Sequence, residues 1–215
     1  MFVEEIMVKD VITIERTTLI RTALELLEKH RIRHIPVIDE NRYVVGIVAD
    51  RDIRDASPSI FQPGDDKKEL DQPVSTIMTS PVVTIMSYDL MADAAVVLYE
   101  NDISALPVVS SDDKLVGILT ETNVLHTLVK MTGANQPSSQ IDIVVPNLSG
   151  QLAELSLIFK EKGTNVISVL LFPHNEIDKQ VLSFRVQTMD PRKLIAAIEE
   201  KGYTVQWPRM PEPGS

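Results

Sequence analysis

Three observations predict an α+β fold built from two copies of one unit and a third, different module. The first is an internal repeat. Residues 6 to 55 align without a gap on residues 77 to 126, at a constant offset of 71 and with 14 of 50 positions identical. The second is the grammar inside each copy: a short β-branched run, a helical apolar period, two more strand runs and a short helix. The third is a change of pattern after about residue 140, where the order becomes β-α-β-β-α-β.

In copy one, Val11 to Ile14 reads as a strand. Thr17 or Thr18 caps a helix whose apolar face carries Leu19, Ala23, Leu26, Leu27 and His30. Ile35-Pro36-Val37-Ile38 is a second strand, with its proline at an edge or a bend. Asp39 to Arg42 turns the chain into a third strand at Val44 to Val48, and a short helix follows from about Asp50. Copy two has Asp89 as cap and Leu90, Ala94, Val97 and Leu98 as the apolar face. Gly46 and Gly117 recur at one place in the third strand, where a missing side chain serves either close packing or room for a ligand. The repeat domains are thus expected at 1–60 and 77–130, joined over 61–76 by an exposed linker containing Pro63-Gly64-Asp65-Asp66 and Lys67-Lys68-Glu69.

Residues 131–140 read as a second linker, and the last module as 141–207. Ile141 to Val145 is its first strand, and Asn147 or Ser149 caps a helix with Leu148, Leu152, Leu155 and Phe159 on one side. Strands at Val166 to Phe172 and Val181 to Val186 follow. A helix starts at Asp190-Pro191 and stops at Lys201-Gly202, before a strand at Tyr203 to Trp207. This is the order of a ferredoxin-like fold. Pro208 to Ser215 is a loose tail.

Composition narrows the function. With 21 basic and 31 acidic residues the formal charge is -10, which speaks against a phosphate-backbone binder and so against nucleic acid. The charge is uneven: residues 1–60 hold 9 bases and 11 acids, 61–133 hold 4 and 11, and 134–215 hold 8 and 9. There are no cysteines, which removes disulfides, thiolate catalysis and cysteine-ligated zinc. No apolar run approaches the ~20 residues of a membrane span, and Met1 to Asp10 lacks the pattern of a secretory signal, so a cytoplasmic protein is expected. No nucleophile stands beside a base, no metal-ligand spacing occurs, and there is no Gly-x-x-x-x-Gly-Lys loop. His30, His126 and His174 lack spaced partners, so a non-enzyme is expected.

The two repeats resemble CBS domains, the paired modules named after cystathionine β-synthase. The resemblance rests on the Val-Ile-Thr-Ile run, on His34-Ile35-Pro36-Val37 with Ala105-Leu106-Pro107-Val108, and on the segments Gly46 to Asp52 and Gly117 to Asn123. The last module resembles an ACT domain through Asn147-x-x-Gly150-x-Leu152 and its element order. The CBS resemblance implies that the pair binds an adenosine nucleotide (AMP, ADP, ATP or S-adenosylmethionine) in clefts between the copies, as a regulatory ligand. It also implies that the segment Gly-h-x-(Thr/Ser)-x-x-Asp contacts ribose and phosphate. Copy one retains Asp52, whose carboxylate can accept from both ribose hydroxyls, but has Ala49 at the hydroxyl position. Copy two retains Thr120 but has Asn123 in place of the aspartate. Family geometry combines Thr18, Arg33 and His34 with Ile118, Thr120 and Asn123 in one cleft, and Asp89, Ser104 and Ala105 with Ile47, Ala49 and Asp52 in the other. Arg33 suits bidentate phosphate contact, and His34 stacking or donation. Read alone, Asp50-Arg51-Asp52 is equally a helix cap and a solvated charge cluster.

Both resemblances imply self-association, so a homodimer is expected, with an amino acid as a second ligand near Gly150 of the ACT-like module. Two CBS-like copies followed by an ACT-like module are similar to a group of proteins tied to acetoin utilisation, which implies a setting in acetoin or acetate metabolism. If the clefts are degenerate, given Ala49 and Asn123, the chain is instead a structural dimerisation protein.

Overall fold

The computed structural model describes residues 1–56 and 67–208, with side chains in the second stretch from residue 69 on. The end of the first domain and the start of the linker (57–66, with Pro63-Gly64-Asp65-Asp66), and the tail after Pro208, lie outside the described residues. The chain forms two compact units that divide between Leu125 and His126.

In the first unit, copy one contributes α1 (Ile20–His30), β1 (His34–Ile38), β2 (Val44–Ala49) and α2 (Asp50–Ala56). A short helix, α3 (Lys67–Leu70), replaces the charged loop expected there. Copy two contributes β3 (Ile85–Met86), α4 (Met91–Glu100), β4 (Ala105–Val109), β5 (Leu115–Thr120) and the first five residues of α5 (Glu121–Thr132), the rest of which belongs to the second unit. The hairpins β1–β2 and β4–β5 are antiparallel and have equivalent registers: Pro36 faces Ile47, and Pro107 faces Ile118. Each carries a register shift, at Val37/Ile38 and at Val108/Val109, positions 71 residues apart.

The expected first strand of copy one is reduced to a single parallel bridge, Ile14 to Val37. In copy two it is a two-residue strand parallel to β4. A chain that makes one ladder contact and then turns away needs few residues in extended pairing, so a β-branched run overstates the strand. The caps also shift. Leu19 and Leu90 are the N-cap residues of α1 and α4, and neither makes a side-chain cap bond. Thr18 Oγ1 accepts from the Glu15 N–H (3.1 Å), and Asp89 Oδ2 from the Met86 N–H (3.0 Å). Both side chains hold the turn that leads into the helix.

The two copies exchange their leading segments. Val3 is fully buried in the apolar core of copy two, with Ile85, Ala94, Leu98, Leu106, Val108 and Leu119. Val74 is fully buried in the core of copy one, with Ile14, Ile20, Leu27, Ile35 and Val48. The Val8 N–H donates to the Ile118 carbonyl (2.9 Å), and the Thr79 N–H donates to the Ile47 carbonyl (2.9 Å). Beyond those ladders, Met7 lies on Gly117 and Met78 on Gly46, close enough that a Cβ on either glycine would collide with the thioether. The recurring glycines are therefore places of close packing.

The second unit holds β6 (Ser139–Pro146), α6 (Gln151–Glu161), β7 (Val166–Pro173), β8 (Lys179–Val186), α7 (Arg192–Glu200) and β9 (Thr204–Trp207). The antiparallel sheet runs β7-β8-β6-β9, the ferredoxin-like arrangement. Its core joins Ile141, Ile143, Leu182 and Phe184 to Leu155, Ile158, Phe159, Leu194, Ile195 and Ile198, with the Phe159 and Phe184 rings 4.5 Å apart. Leu148 and Leu152, expected on the inner side of the first helix, are 68% and 48% exposed. The cap of α6 is Gly150, in the left-handed region at φ 97, in place of Asn147 or Ser149. The inward face of α6 carries Leu155, Ile158 and Phe159. Pro191 stands one residue earlier than expected, as the N-cap of α7.

Candidate ligand-binding site between the two repeats

Two cavities lie between the copies. One, of about 260 Å³, is lined by Val8, Asp10, Val11, Ile12 and Arg31 to His34 of copy one and by Ile118, Thr120, Thr122 and Asn123 of copy two. The other, of about 240 Å³, is lined by Thr79, Pro81 to Val83 and Asp102 to Ala105 of copy two and by Ile47, Ala49, Asp52 and His34 of copy one. Apart from Thr122 and the second appearance of His34, each wall position of one matches a wall position of the other at the offset of 71. The duplication therefore extends to the cavities, which are two versions of one site.

The sequence-predicted residues fall into these cavities as paired. Arg33, His34, Ile118, Thr120 and Asn123 line the first; Ser104, Ala105, Ile47, Ala49 and Asp52 line the second. Thr18 and Asp89 line neither, being placed in the turns before α1 and α4. Sequence reasoning missed the stretches 8 to 12 and 79 to 83, and the pair Arg31 and Asp102. The repeat register carried a signal for both.

Local folding explains the motif geometry. Asp52 Oδ2 accepts from the Ala49 N–H (2.7 Å), and Asn123 Oδ1 accepts from the Thr120 N–H (2.9 Å). In copy two the arrangement is reciprocal, because Thr120 Oγ1 accepts from the Asn123 N–H (3.3 Å) and donates to Asn123 Oδ1 (2.6 Å). This is a capping box at the start of α5. Copy one has only half of it, since Ala49 has no hydroxyl. Asp52 and Asn123 thus begin helices and line cavities at once.

Backbone conformation marks the rims. Arg31 has φ 52 and Asp102 has φ 51, the left-handed region that favours glycine, and they occupy equivalent positions. Each puts a charged residue into a cavity wall, with opposite signs. Arg33 is replaced by Ser104, Asp10 by Pro81, and Asn123 by Asp52 across the pair. One cavity therefore carries two guanidiniums against one carboxylate, and the other two carboxylates with no lysine or arginine.

His34 stands in both walls, and its Nε2 is 2.9 Å from Ser104 Oγ. Burial lowers its pKa from the usual 6.5, and Arg33 lowers it further, against the opposing pull of Asp50, Asp52 and Glu121. The lowered pKa favours the uncharged imidazole at neutral pH. Among the described residues, no three His, Cys, Asp or Glu side chains gather to hold a metal ion, and no helix is long and apolar enough to cross a membrane.

Duplicated units interlocked by exchanged segments, with two equivalent clefts between them, make this a paired-repeat protein. The CBS domain family model matches residues 3–59 and 74–130, more than half of the chain, and the chain belongs to that family. Three solved structures show the likeness. The CBS domain pair of protein MJ0100, in complex with 5′-methylthioadenosine and S-adenosyl-L-methionine, is 27% identical, with TM-score 0.53, over 63% of this chain and 98% of that one. CBSX2, in complex with AMP, is 30% identical, with TM-score 0.51, over 60% and 96%; a further structure gives its source as Arabidopsis thaliana. An acetoin utilisation protein, AcuB from Vibrio cholerae, is 27% identical, with TM-score 0.54, over 65% and 98%. Curated enzymes match over a small part of their length: this chain spans 23% of the homoserine O-acetyltransferase of Methanocorpusculum labreanum.

Proposed function

We propose that the chain is a non-catalytic regulatory protein that binds an adenosine ligand, of the AMP, ADP, ATP or S-adenosylmethionine class, between its CBS repeats. The observation that carries this reading is the pair of register-equivalent cavities, each built from the leading and central loops of one copy and the Gly-to-Asp/Asn segment of the other. That CBS pairs of related sequence bind AMP in one case and 5′-methylthioadenosine with S-adenosylmethionine in another supports it. A ligand regulates only by binding one arrangement of the protein better than another, and a cleft walled by two separate copies senses their spacing.

The remaining parts of the reading rest on the ferredoxin-like module and on the AcuB likeness. The module acts as an ACT domain, taking an amino acid near Gly150; the chain is a cytoplasmic homodimer; and its setting is acetoin or acetate metabolism. The domain limits proposed above, 1–60, 77–130 and 141–207, go with this assignment.

Calorimetry with AMP, ADP, ATP and S-adenosylmethionine tests the nucleotide reading. Heat of binding with at least one of them is expected. Replacing Asp52 and Asn123 separately by alanine is expected to weaken binding in one cleft at a time, by about tenfold for a lost charged or cooperative hydrogen bond. Silence with all four ligands leaves the structural dimerisation role in its place.

A further inference from the structure

We infer that the two cavities sort adenosine ligands by charge: the Arg31–Arg33 cavity takes a phosphorylated adenosine, and the Asp52–Asp102 cavity takes an adenosyl compound without phosphate, neutral or cationic at its 5′ end. The inference rests on the proposed adenosine binding and goes further by assigning a ligand class to each cleft.

Equivalence of the walls makes the charge comparison meaningful. The apolar lining recurs, with Ile118 opposite Ile47, Val11 opposite Val82 and Ile32 opposite Ile103, so both cavities offer an adenine the same kind of surface. What changes is polar and charged. Arg31 becomes Asp102, Arg33 becomes Ser104, Thr120 becomes Ala49, and Asn123 becomes Asp52. Each of these four removes positive charge or a hydroxyl donor from the second cavity or adds a carboxylate to it. Against them, Asp10 becomes Pro81 and Val8 becomes Thr79, which leaves the first wall at two guanidiniums and one carboxylate and the second at two carboxylates. A phosphate there meets Asp102 with no lysine or arginine in the wall, while Asp52 is held on the Ala49 N–H where it suits ribose hydroxyls, and like charges at close range in a partly desolvated cleft repel strongly. In the first cavity it meets two guanidiniums, which match its geometry bidentately.

The backbone is shared by the two rims. The left-handed conformation at Arg31 and Asp102 is one that glycine adopts without strain, yet both copies have a charged side chain there. At Arg31 this conformation ends α1, and the same inversion recurs at Arg42 and Asp113, which line neither cavity, so the division rests on the side chains of the walls. His34, in both walls, leaves the opposition to Arg31 and Arg33 beside Asp10 in one and Asp52 with Asp102 in the other.

The test uses the full chain and two probes, AMP and 5′-methylthioadenosine, titrated separately and then each onto protein saturated with the other. Each is expected to bind one site per chain, with its affinity changed less than about threefold by the other. Arg33 is exposed, so Arg33→Ser is expected to fold; it should weaken AMP about tenfold or more and leave 5′-methylthioadenosine unaffected, while Arg33→Lys restores AMP. Asp102→Arg should admit a second AMP per chain. One-for-one competition between the probes, or unchanged AMP affinity in Arg33→Ser, overturns the sorting and leaves adenosine binding standing. No heat from either probe with the parent chain overturns the sorting, and silence with ADP, ATP and S-adenosylmethionine as well overturns the adenosine reading.

Discussion

The two cavities have one backbone plan and different chemistry. Their hairpins share a register, their rims share two left-handed residues 71 positions apart, and a methionine from each copy lies on a glycine of the other. Only side chains distinguish them: a basic wall with a complete capping box on one side, and an acidic wall with half a box on the other. The contrast shows which constraints packing imposes and which it leaves open. Buried contacts are retained because small volume changes in a close-packed interior are costly, while polar rim positions are free to diverge.

The largest test of this contrast lies where the copies are not equally tight. A Cβ at Gly117 would meet the Met7 thioether and also the Val8 carbonyl oxygen at 3.2 Å, whereas the neighbours of Gly46 are all atoms of the Met78 side chain. A methionine can change rotamer, but a carbonyl already bonded into a ladder cannot move. Gly117→Ala is therefore expected to destabilise by about 3 kcal/mol and Gly46→Ala by about 1 kcal/mol, measured as denaturation midpoints. Equal losses would show that the two exchanged segments are equally rigid. Next in size are Val3→Ala and Val74→Ala, each expected to cost about 2 kcal/mol because each removes two buried methyl groups and leaves a cavity. A small loss at Val3 would mean that the first residues do not hold copy two together.

How much of this was legible in the sequence follows from what a repeat can encode. The CBS resemblance implied both clefts and twelve residues, of which ten line the two cavities, and the offset of 71 showed the duplication. It could not show that residues 1 to 8 are packed into copy two, because a segment exchanged between two similar units has the same composition in either arrangement. Val11 to Ile14 looked like a strand by β-branching alone, but strand propensity reflects packing partners, and here only Ile14 has one. Thr18 and Asp89 sit where a cap or a ligand contact is chemically reasonable, and a one-residue shift of the helix start moved them into a turn. Arg31 and Asp102 gave no sign of a left-handed backbone, since neither is a glycine or an asparagine.

A smaller effect comes from the capping boxes. Thr120→Ala removes the hydroxyl that accepts from the Asn123 N–H and is expected to cost about 1 kcal/mol. Ala49→Thr supplies the missing half in copy one and is expected to stabilise by a few tenths of that. If Ala49→Thr destabilises instead, the wall of the acidic cavity has no room for a hydroxyl.

The smallest effect separates the copies by titration, because His34 has Ala105 as its counterpart. Burial and Arg33 lower the His34 pKa below the 6.5 of the unfolded chain, although Asp50, Asp52 and Glu121 oppose them. In the window just below pH 6.5 the unfolded chain therefore binds more protons at this residue than the folded one does, and stability rises with pH there. Well above 6.5 both states are neutral and the pH dependence vanishes. Replacing the imidazole by a neutral amide in His34→Gln should flatten that rise while leaving the midpoint at about pH 7.5 little changed, provided that the amide also reaches the Ser104 hydroxyl. Denaturation midpoints of both proteins at about pH 5.5 and 7.5 make the comparison. Parallel curves would place the proton uptake on carboxylates elsewhere and remove His34 as a difference between the two clefts.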